Sequence, residues 1–462
     1  MQLNGRKIIT STVETVNETN IVSVINEALP SFALNQAQIQ YLFAYYNGIQ
    51  PILSREKVYH KEINNKIVEN HAREIVAFKV GYLLWKPIEY VSRKENNEEN
   101  KIEALNDYMV LEDKVGKDKT IAKHQSICGT AYRLGLVNKD FDKNPNEAPF
   151  KVYSVHPFNA CVIYSADFKK EPMVGLIIDT VFRDGENKQR VQAYTKTRFY
   201  EVINGILTKD EPHTYGYIPL IEYPLNEERV GDFEQVIDLL DAINKVQSNR
   251  LDGVEEFIQA LMVFKNVDIK ESDIQKLKEL GAIKIKDGSK ELSANVSYLT
   301  QELNQTQVQT LKQDMYNVVL HIVGMPSQSD RNTGDSSNNG AVILKNGWQG
   351  ADARASETEV MFRTSELKFL QLILTITKVM TTNKVSLSLS DIDIKFTRRN
   401  YENLYQKAQV LDLLLKNDKV APQLAFQVCG LFTDSEEAYT VSNEYYEKLK
   451  AESENIPNGK NE

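Results

Sequence analysis

Hydrophobic positions along this chain change their period twice. Over the first hundred residues they recur at helical spacing. Ile21 to Leu29 predicts a short amphipathic piece, and Asn35 is placed to cap a helix from Gln36 to Tyr46, broken by Gly48 and Pro51. Ile63, Ile67, Ile75 and Phe78 predict a helix from Asn64 to Tyr82, closed by Gly81 and Pro87. Ile88 to Val91 reads as a short strand and Arg93 to Lys101 as a charged, solvated loop. A further helix or two runs through Gly135. Between about 150 and 225 the period drops to two. Lys151 to Val155, Ala160 to Tyr164, Val174 to Asp179 and Gln192 to Thr195 read as short strands. Turns at His156-Pro157, Asp184-Gly185 and Asn204-Gly205 punctuate them. This is a small antiparallel region. Without βαβ alternation, a doubly wound dinucleotide fold is not expected.

Helical period then returns at greater length. Gly231 to Phe264 is nearly continuous helical pattern, about 50 Å long if straight, with Gly253 a candidate kink or break. A compact strand–helix–strand insertion follows, with Ile269, Ile274, Leu277 and Leu280 marking the helix, then Gly281 to Lys286 and a turn at Asp287-Gly288. A second helix, Asn304 to Val323, leads back. Gly324 to Gly340 is a polar loop with no aliphatic residue after Met325, and a loop this long inside a compact domain is usually functional or disordered. Ala341 to Met380 resumes as a very long helix interrupted at Asn346-Gly347. Leu387 to Phe396 alternates as a strand, and Tyr401 to Leu415, Pro422 to Cys429 and Ser435 to Glu452 are helical. The last ten residues are expected to be disordered. The fold class is α+β, mainly helical.

Composition narrows the function classes. A chain of 462 residues suits two or three packed regions. Lys plus Arg at 55 against Asp plus Glu at 64 leaves a net charge of −9, which argues against a broad basic face gripping nucleic acid. Apolar residues at 42% exclude wholesale disorder. Twenty-two Tyr beside two Trp fit a protein with extensive interfaces. Cys128, Cys161 and Cys429 are far apart and never in a C-x-x-C pair, so three buried thiols in a reducing compartment are expected rather than a disulfide or zinc site. No apolar segment follows Met1, and no stretch approaches the roughly 20 apolar residues of a membrane span. The chain reads as soluble, intracellular at synthesis and without a membrane partner.

Catalytic signatures are weak. Val115-Gly-Lys-Asp-Lys-Thr120 lacks the upstream glycine of a phosphate loop and reads as a lysine-rich turn. His71 and Glu74 lie one helical turn apart without a second histidine, so a surface or interface pair is expected rather than a metalloprotease site. Asp391 and Asp393 share a strand face and read as solvated carboxylates rather than a cation site. No metal, no cofactor and no enzymatic activity are expected. The long helix after Gly231 carries Asp232, Glu234, Asp238, Asp241, Asp252, Glu255 and Glu256, which predicts a predominantly acidic exposed face. Such a face suits a solvated helix, and equally an inner surface that must not hold an anion.

Several blocks, in order, carry a family resemblance. They are Tyr45-Tyr-Asn-Gly48, Ile52-Leu-x-Arg55, Asn64-Asn-Lys-Ile-Val68, Asn70-His71, Gly81-Tyr-Leu83 and Lys86-Pro-Ile88. Further on stand Ile218-Pro-Leu-Ile-Glu222, Asn226 to Glu234 (NEERVGDFE), Gly340-Ala-Val342 and Asn346-Gly-Trp348. With them, over roughly 40 to 400, the chain resembles the portal proteins of tailed bacteriophages, in the branch typical of long-tailed phages of Gram-positive hosts. Two departures stand out: Trp85 where that branch often has Gly, and a loop longer and more polar than the commoner S-G-x-A-L form.

The resemblance implies an elongated subunit with wing, stem, clip and crown that assembles into a dodecameric ring. Carried onto this chain, the wing is 1–230 with parts of 340–398, the long wing helix and strand. The stem is 231–262 and 302–323, the clip 263–301, the tunnel loop 324–339, and the crown with its tail 399–462. A ring of this kind sits at one capsid vertex. Terminase packages double-stranded DNA through it, the DNA later leaves by the same route, and head-completion and tail proteins dock on it. The implied partners are other copies of the chain, the terminase large subunit, a head-completion adaptor, and major capsid and scaffolding proteins. The implied location is the virion, with assembly in the host cytoplasm. Ser327, Gln328, Ser329, Asn332, Thr333, Ser336, Ser337, Asn338 and Asn339 would offer neutral hydrogen-bonding groups to passing DNA. Arg331 and Lys345 would be the few cations near its path, and Lys276, Lys278 and Glu279 would face clip partners. A duplex carries about one charge per 1.7 Å of axis, so a broad basic lining would trap it. The rival classes are a nucleic-acid motor or nuclease component, for which no Walker lysine or carboxylate cluster is present, and a non-channel helical scaffold or adaptor.

Overall fold

The computed structural model describes residues 5–58, 61–93, 99–141, 143, 146–183, 185–258, 261–265, 295–299, 305–326, 348–380, 387–398, 404–432 and 435–454. The chain divides into two compact units. One is built from 1–43, 72–235 and 320–462, the other from 44–71 and 236–319.

The first unit holds a six-stranded sheet made of β1 (Ile9–Ser11), β5 (Ala160–Ser165), β6 (Pro172–Arg183), β7 (Glu186–Tyr194), β8 (Arg198–Ile203) and β9 (Ile206–Pro212), in that spatial order. All pairings are antiparallel except β1 alongside β5. Asn204 and Gly205 turn β8 into β9 with φ of 48° and 79°, the left-handed pair that an Asn-Gly hairpin needs. One face of this sheet is covered by α1 (Ile21–Tyr46), whose Ile21, Val24, Ile25, Ala28 and Phe32 are buried against Ile163, Leu176, Val191 and Tyr200. Two expected pieces are therefore one helix, and it runs through Pro30. An interior proline costs about 3 kcal/mol, whereas each large apolar side chain buried on the sheet contributes about 1.5–3 kcal/mol; the stripe wins. Asn35 caps nothing. Its amide pairs with the backbone N–H and carbonyl of Lys7, both at 2.9 Å.

Beside this sheet in the same unit is a three-stranded one, β10 (Leu220–Pro224), β3 (Thr130–Val137) and β4 (Phe150–Val155). The helix or two expected through Gly135 end at Cys128, because Ala131, Leu134 and their neighbours pair antiparallel with both flanking strands. Helices α3 (Glu99–Leu111), α4 (Lys114–Cys128) and the long α7 (Trp348–Met380) share one apolar core with this sheet, including Leu105, Ile121, Phe150, Tyr223, Phe362, Phe369 and Ile373. The short β2 (Glu89–Ser92) pairs antiparallel with β13 (Ile392–Lys395). Here too the expected strand from Leu387 shortens, since a 3-10 turn occupies Leu389–Asp391.

Four buried charges lie at the centre of that core. Arg133 and Glu366 are each fully buried and pair at 2.9 Å, while Arg133 also pairs with Asp118. Lys114 bridges Asp118 at 2.6 Å and Glu366 at 2.9 Å. Tyr90 and Tyr223 donate their hydroxyls to Glu366 at 2.5 and 2.8 Å, and Arg133 lies over the rings of Tyr223 and Phe369. Two cations face two anions, which is the condition for a buried ionic cluster to be tolerated. Burial pushes the Glu366 carboxyl up, but the charges of Lys114 and Arg133 and the hydrogen bonds from Tyr90 and Lys114 outweigh it and hold the pKa at about 2. The cluster ties α4, β2, β3 and β10 to the middle of α7.

A three-helix group ends the chain: α8 (Leu404–Leu415), α9 (Pro422–Cys429) and α10 (Ser435–Glu454), around buried Leu411, Ala425, Phe426 and Cys429. All three cysteines are buried, and burial pushes the Cys128 thiol up to about 12. Burial raises the Cys161 thiol as well, and the burial of all three is what the reading of buried thiols expects. The expected disorder of the final ten residues concerns 453–462, of which 455–462 lie outside the described residues and 453–454 belong to α10.

The second unit contains α5 (Ile237–Ile258), a hairpin of β11 (Leu261–Lys265) with β12 (Asn295–Leu299), and most of α6 (Gln305–Val323). The expected unbroken helix to Phe264 stops at Ile258. Leu261 to Lys265 pairs as a strand, in keeping with its β-prone Val-Phe sequence, and Gly253 is accommodated inside the helix. No helix among the described residues is long and apolar enough to cross a membrane.

Candidate functional site

The blocks that carry the resemblance can now be read as physics. Glu222, at the end of Ile218 to Glu222, is buried and paired with Arg229 of the NEERVGDFE block through two contacts, 2.7 and 3.0 Å. Tyr164 and Thr130 also donate to Glu222, at 2.5 and 3.0 Å. Arg229 takes φ of 58°, and Asn226 closes the turn by exchanging hydrogen bonds with Val230 in both directions, 2.8 and 2.9 Å. The turn packs so tightly on the end of α4 that a Cβ on Gly129 (φ +74°) would fall 2.0 Å from the Arg229 carbonyl, and one on Gly231 2.5 Å from that of Ile127. These motifs specify a clamp, not a ligand site. They set the backbone immediately before α5.

In the second unit, the block at 64–71 is an extended strap laid along α5. The backbone N–H groups of Asn65, Ile67 and Glu69 donate to Asp252 Oδ1, Ser248 Oγ and Asn244 Oδ1 at 2.8, 3.0 and 2.8 Å. The spacing is a match of periods: two extended residues advance about 6.6 Å and four helical residues about 6.0 Å, so every second strap amide meets one face of the helix. Asp252 further accepts from the Asn65 side chain at 2.9 Å and pairs with Arg55 at 3.0 Å and Lys57 at 3.2 Å. Glu69 and His71 reach α6, through an ion pair to Lys312 at 2.5 Å and a ring contact with Tyr316 at 4.5 Å. The expected helix over Asn64 to Tyr82 is corrected accordingly. Helix α2 begins only at His71 and ends at Leu83, because α5 supplies the acceptors that a helix would otherwise provide itself.

Both findings overturn the acidic face expected of the long helix. Glu234 is buried, pairs with Arg6 at 2.5 Å and accepts from the Gly231 N–H at 2.6 Å. Asp232, half-buried, accepts from Ser126 at 2.5 Å. Burial pushes the pKa of both above the ordinary carboxylate range, against the pull of Lys79 on Asp232 and of Arg6 on Glu234. Asp241 is half-buried, accepts from the Tyr45 hydroxyl at 2.9 Å and is likewise raised, mainly by burial. Asp252 goes the other way: burial raises it, but the Asn65 hydrogen bonds and Lys57 outweigh burial and hold it low. Asp238 is exposed and Glu255 half-buried, and the Glu256 side chain lies outside the described residues. Asp232, Glu234, Asp241 and Asp252 hold chain segments together.

Replacing Asp252 with Ala is expected to cost about 2–4 kcal/mol, since Arg55, Lys57 and the Asn65 amide all lose a partner. Ser248→Ala removes one acceptor and is expected to cost about 1 kcal/mol. Amide hydrogen exchange checks the strap directly: Asn65 should lose protection in the first variant and Ile67 in the second. Unchanged exchange at those amides would refute the strap.

The polar loop's two roots belong to the first unit. Helix α6 ends in a Schellman turn, with Gly324 at φ +66°, its N–H donating to His321 O at 3.2 Å and Met325 N–H to Leu320 O at 2.8 Å. The returning root is Trp348, which packs on Phe78 and Tyr82. Near the outgoing root a cleft of about 500 Å³ is lined by Lys79, Asp232, Val323, Arg354 and Glu357. Loop residues Ser327, Gln328, Ser329, Arg331, Asn332, Thr333, Ser336, Ser337, Asn338 and Asn339, together with Lys345, lie outside the described residues. So do Lys276, Lys278 and Glu279, between β11 and β12.

The catalytic candidates resolve into structure. Val115 to Thr120 lies within α4, so the expected lysine-rich turn is helix. His71 pairs with Glu69 at 3.1 Å. Asp391 accepts from the Ser388 N–H at 3.1 Å, and Asp393 pairs with Arg363 at 3.0 Å. Among the described residues no group of three or more His, Cys, Asp or Glu is arranged to hold a metal.

The family model and the sequence relatives agree. A family model described as "Phage portal protein, SPP1 Gp6-like" matches residues 31–458. A portal protein of Clostridium phage phiCD119 is 22% identical over 408 residues, covering 80% of this chain and 88% of the relative. The portal protein of Bacillus phage SPP1 is 31% identical over 102 residues, 18% of this chain and 20% of the relative. Among solved structures, a chain from the neck of an empty GTA particle computed with C6 symmetry aligns with a TM-score of 0.43 and 9% identity, over 78% of this chain and 90% of that one.

Proposed function

Because this chain belongs to the SPP1 Gp6-like phage portal protein family, a structural component of the virion, we propose that its copies close into a ring at one capsid vertex and that double-stranded DNA passes through the bore. The single observation that carries this reading is the family match from residue 31 to 458, which starts within α1 and runs past the end of α10. In the ring, residues 1–230 with parts of 340–398 act as wing, 231–262 and 302–323 as stem, 263–301 as clip, 324–339 as tunnel loop and 399–462 as crown. The separate compaction of 236–319 together with 44–71 supports assigning the stem and clip to a body of their own. Terminase supplies the energy and the chain itself does no chemistry. Clip residues Lys276, Lys278 and Glu279 form a polar, exchangeable surface for terminase and then for the head-completion adaptor.

The lining works by neutrality. Ser, Thr, Asn and Gln of the loop offer short hydrogen-bonding groups that release phosphates as readily as they meet them, with Arg331 and Lys345 as sparse cations. Exposed Thr306, Gln309, Thr310 and Gln313 of α6 extend that uncharged character. Purified protein imaged down the axis is expected to give class averages of closed rings with a central channel about as wide as a duplex. Monomers or dimers at every concentration, with or without scaffolding protein, would remove the proposal. ATP turnover that survives further purification would favour the rival motor.

A further inference from the structure

Three segments of the first unit meet around the cleft beside the outgoing root of the polar loop: the turn 225–232, the end of α6 and the middle of α7. A second, smaller recess of about 20 Å³ adjoins it, and Lys79, Leu225, Asp232 and Thr358 line both. About 10–15 Å³ is enough for one water-sized group, and an ammonium head is of that size. Gln125, on α4, lines the recess and is fully buried. Its amide nitrogen donates to Pro224 O at 3.2 Å, whereas its Oε1 accepts from nothing among the described residues. A buried acceptor left without a donor is costly, so the group that completes this recess brings an N–H or O–H.

The cleft itself also asks for a donor rather than an acceptor. Backbone N–H groups of the turn are already taken: Arg229 donates to Asn226 O at 3.2 Å, Val230 to Asn226 Oδ1 at 2.9 Å, Gly231 to Glu234 at 2.6 Å and Asp232 to Ser126 O at 2.9 Å. An anion therefore finds no backbone cradle here. The lining charges lean the same way, with Glu227, Glu228, Asp232 and Glu357 against Lys79 and Arg354. Arg354 stands 4.0 Å from Glu357, and exposed Glu227 and Glu228 have no ion-pair partner among the described residues. Leu225, Val323, Val360 and Met361 supply an apolar wall. A bare metal ion is not matched, since among the described residues no three His, Cys, Asp or Glu are grouped to hold one.

We infer that this cleft binds an aliphatic diamine or polyamine. One ammonium head enters the recess and donates to Gln125 Oε1 and Asp232. The methylene chain lies on Leu225, Val323 and Val360, and a second ammonium sits among Glu227, Glu228 and Glu357. Charge at both ends and an apolar middle are what this lining recognises. The bound molecule ties the end of α6 to α7 just before the polar loop begins. Every contact lies within one copy of the chain, so the inference stands apart from the ring reading.

Isothermal titration of the full-length chain with 1,4-diaminobutane and with spermidine tests this, with butylamine and magnesium as controls. Saturable binding is expected for both polyamines, and binding at least about tenfold weaker for butylamine, which lacks the second charge. Gln125→Leu is expected to weaken spermidine about tenfold or more. Glu227→Gln with Glu228→Gln, both exposed and so harmless to the fold, is expected to weaken it about threefold or more. The response to pH gives the sign of the ligand. Burial lowers the Lys79 pKa and raises that of Asp232, and a bound cation disfavours the protonated form of both. Binding therefore releases protons and tightens as pH rises between about 5 and 9. Binding that tightens as pH falls would mark an anion site. Magnesium as effective as spermidine would mark mere screening of an acidic chain, and unchanged binding by Gln125→Leu would leave the recess to water. Each of these results, like the lack of saturable binding up to about 10 mM, overturns the inference.

Discussion

Glu366→Gln should unfold the first unit more readily than any other single substitution discussed for this chain. The change keeps size and shape and removes one charge from a dry cluster of four. Arg133 and Lys114 would then face Asp118 alone, and Tyr90 and Tyr223 would donate to an amide that also carries donors of its own. Breaking a buried ion pair from one side costs about 3–5 kcal/mol, a large share of the stability of most domains. The urea midpoint of the variant should fall accordingly. Arg133 and Glu366 replaced together by apolar residues of similar volume should recover much of the loss. A midpoint within error of wild type for Glu366→Gln would show the cluster to be inessential.

The same carboxylate sets a pH dependence. Its folded pKa of about 2 lies below the ordinary glutamate value of 4.5. The pairing therefore stabilises the fold fully above 4.5, and that contribution is lost as pH falls from 4.5 towards 2. Thermal unfolding between pH 7 and 5 should leave this contribution unchanged, with the decline beginning below.

Deleting Gln328 to Asn338 should separate assembly from transport. The roots on either side are held by contacts that the deletion leaves alone: the Schellman turn at Gly324 and the packing of Trp348 on Phe78 and Tyr82. Rings should form in normal yield. Heads carrying them should contain little DNA, a loss of at least about tenfold if the loop meets the duplex during packaging, equivalent to about 1.4 kcal/mol in the step it serves. Heads are counted by DNA content after nuclease treatment. Packaging at wild-type yield would take the loop out of the mechanism, whereas failure of the rings themselves would make it a structural element.

Much of the fold was legible because local signals agreed with the tertiary outcome. The period-two region, the Asn204-Gly205 hairpin, the Gly324 helix stop and the helices Pro422–Cys429 and Ser435–Glu454 all follow from neighbours in sequence. The errors share one cause. Asn64 to Glu69 looked helical because its apolar residues keep helical spacing, yet the amides of Asn65, Ile67 and Glu69 are satisfied by Asp252, Ser248 and Asn244, almost two hundred residues away. Thr130 to Gly135 looked like a helical continuation until two distant strands claimed it. The acidic residues of the long helix looked like a solvent face because a sequence shows a charge but not its partner.

By itself, then, the amino-acid order determined the kind of most elements, the uncharged Ser, Thr, Asn and Gln of the long loop and the family to which the chain belongs. Those properties depend on residue type and short-range spacing, which survive without any knowledge of the fold. Only the tertiary structure decided what each charge does. It turned Glu234 and Asp252 from candidate surface carboxylates into internal ties, and gave Glu222 and Glu366 the same role. The reason is that a carboxylate's pKa and role follow from burial and from partners such as Arg229, Arg6, Lys57 and Arg133, and folding alone brings those within 3.2 Å.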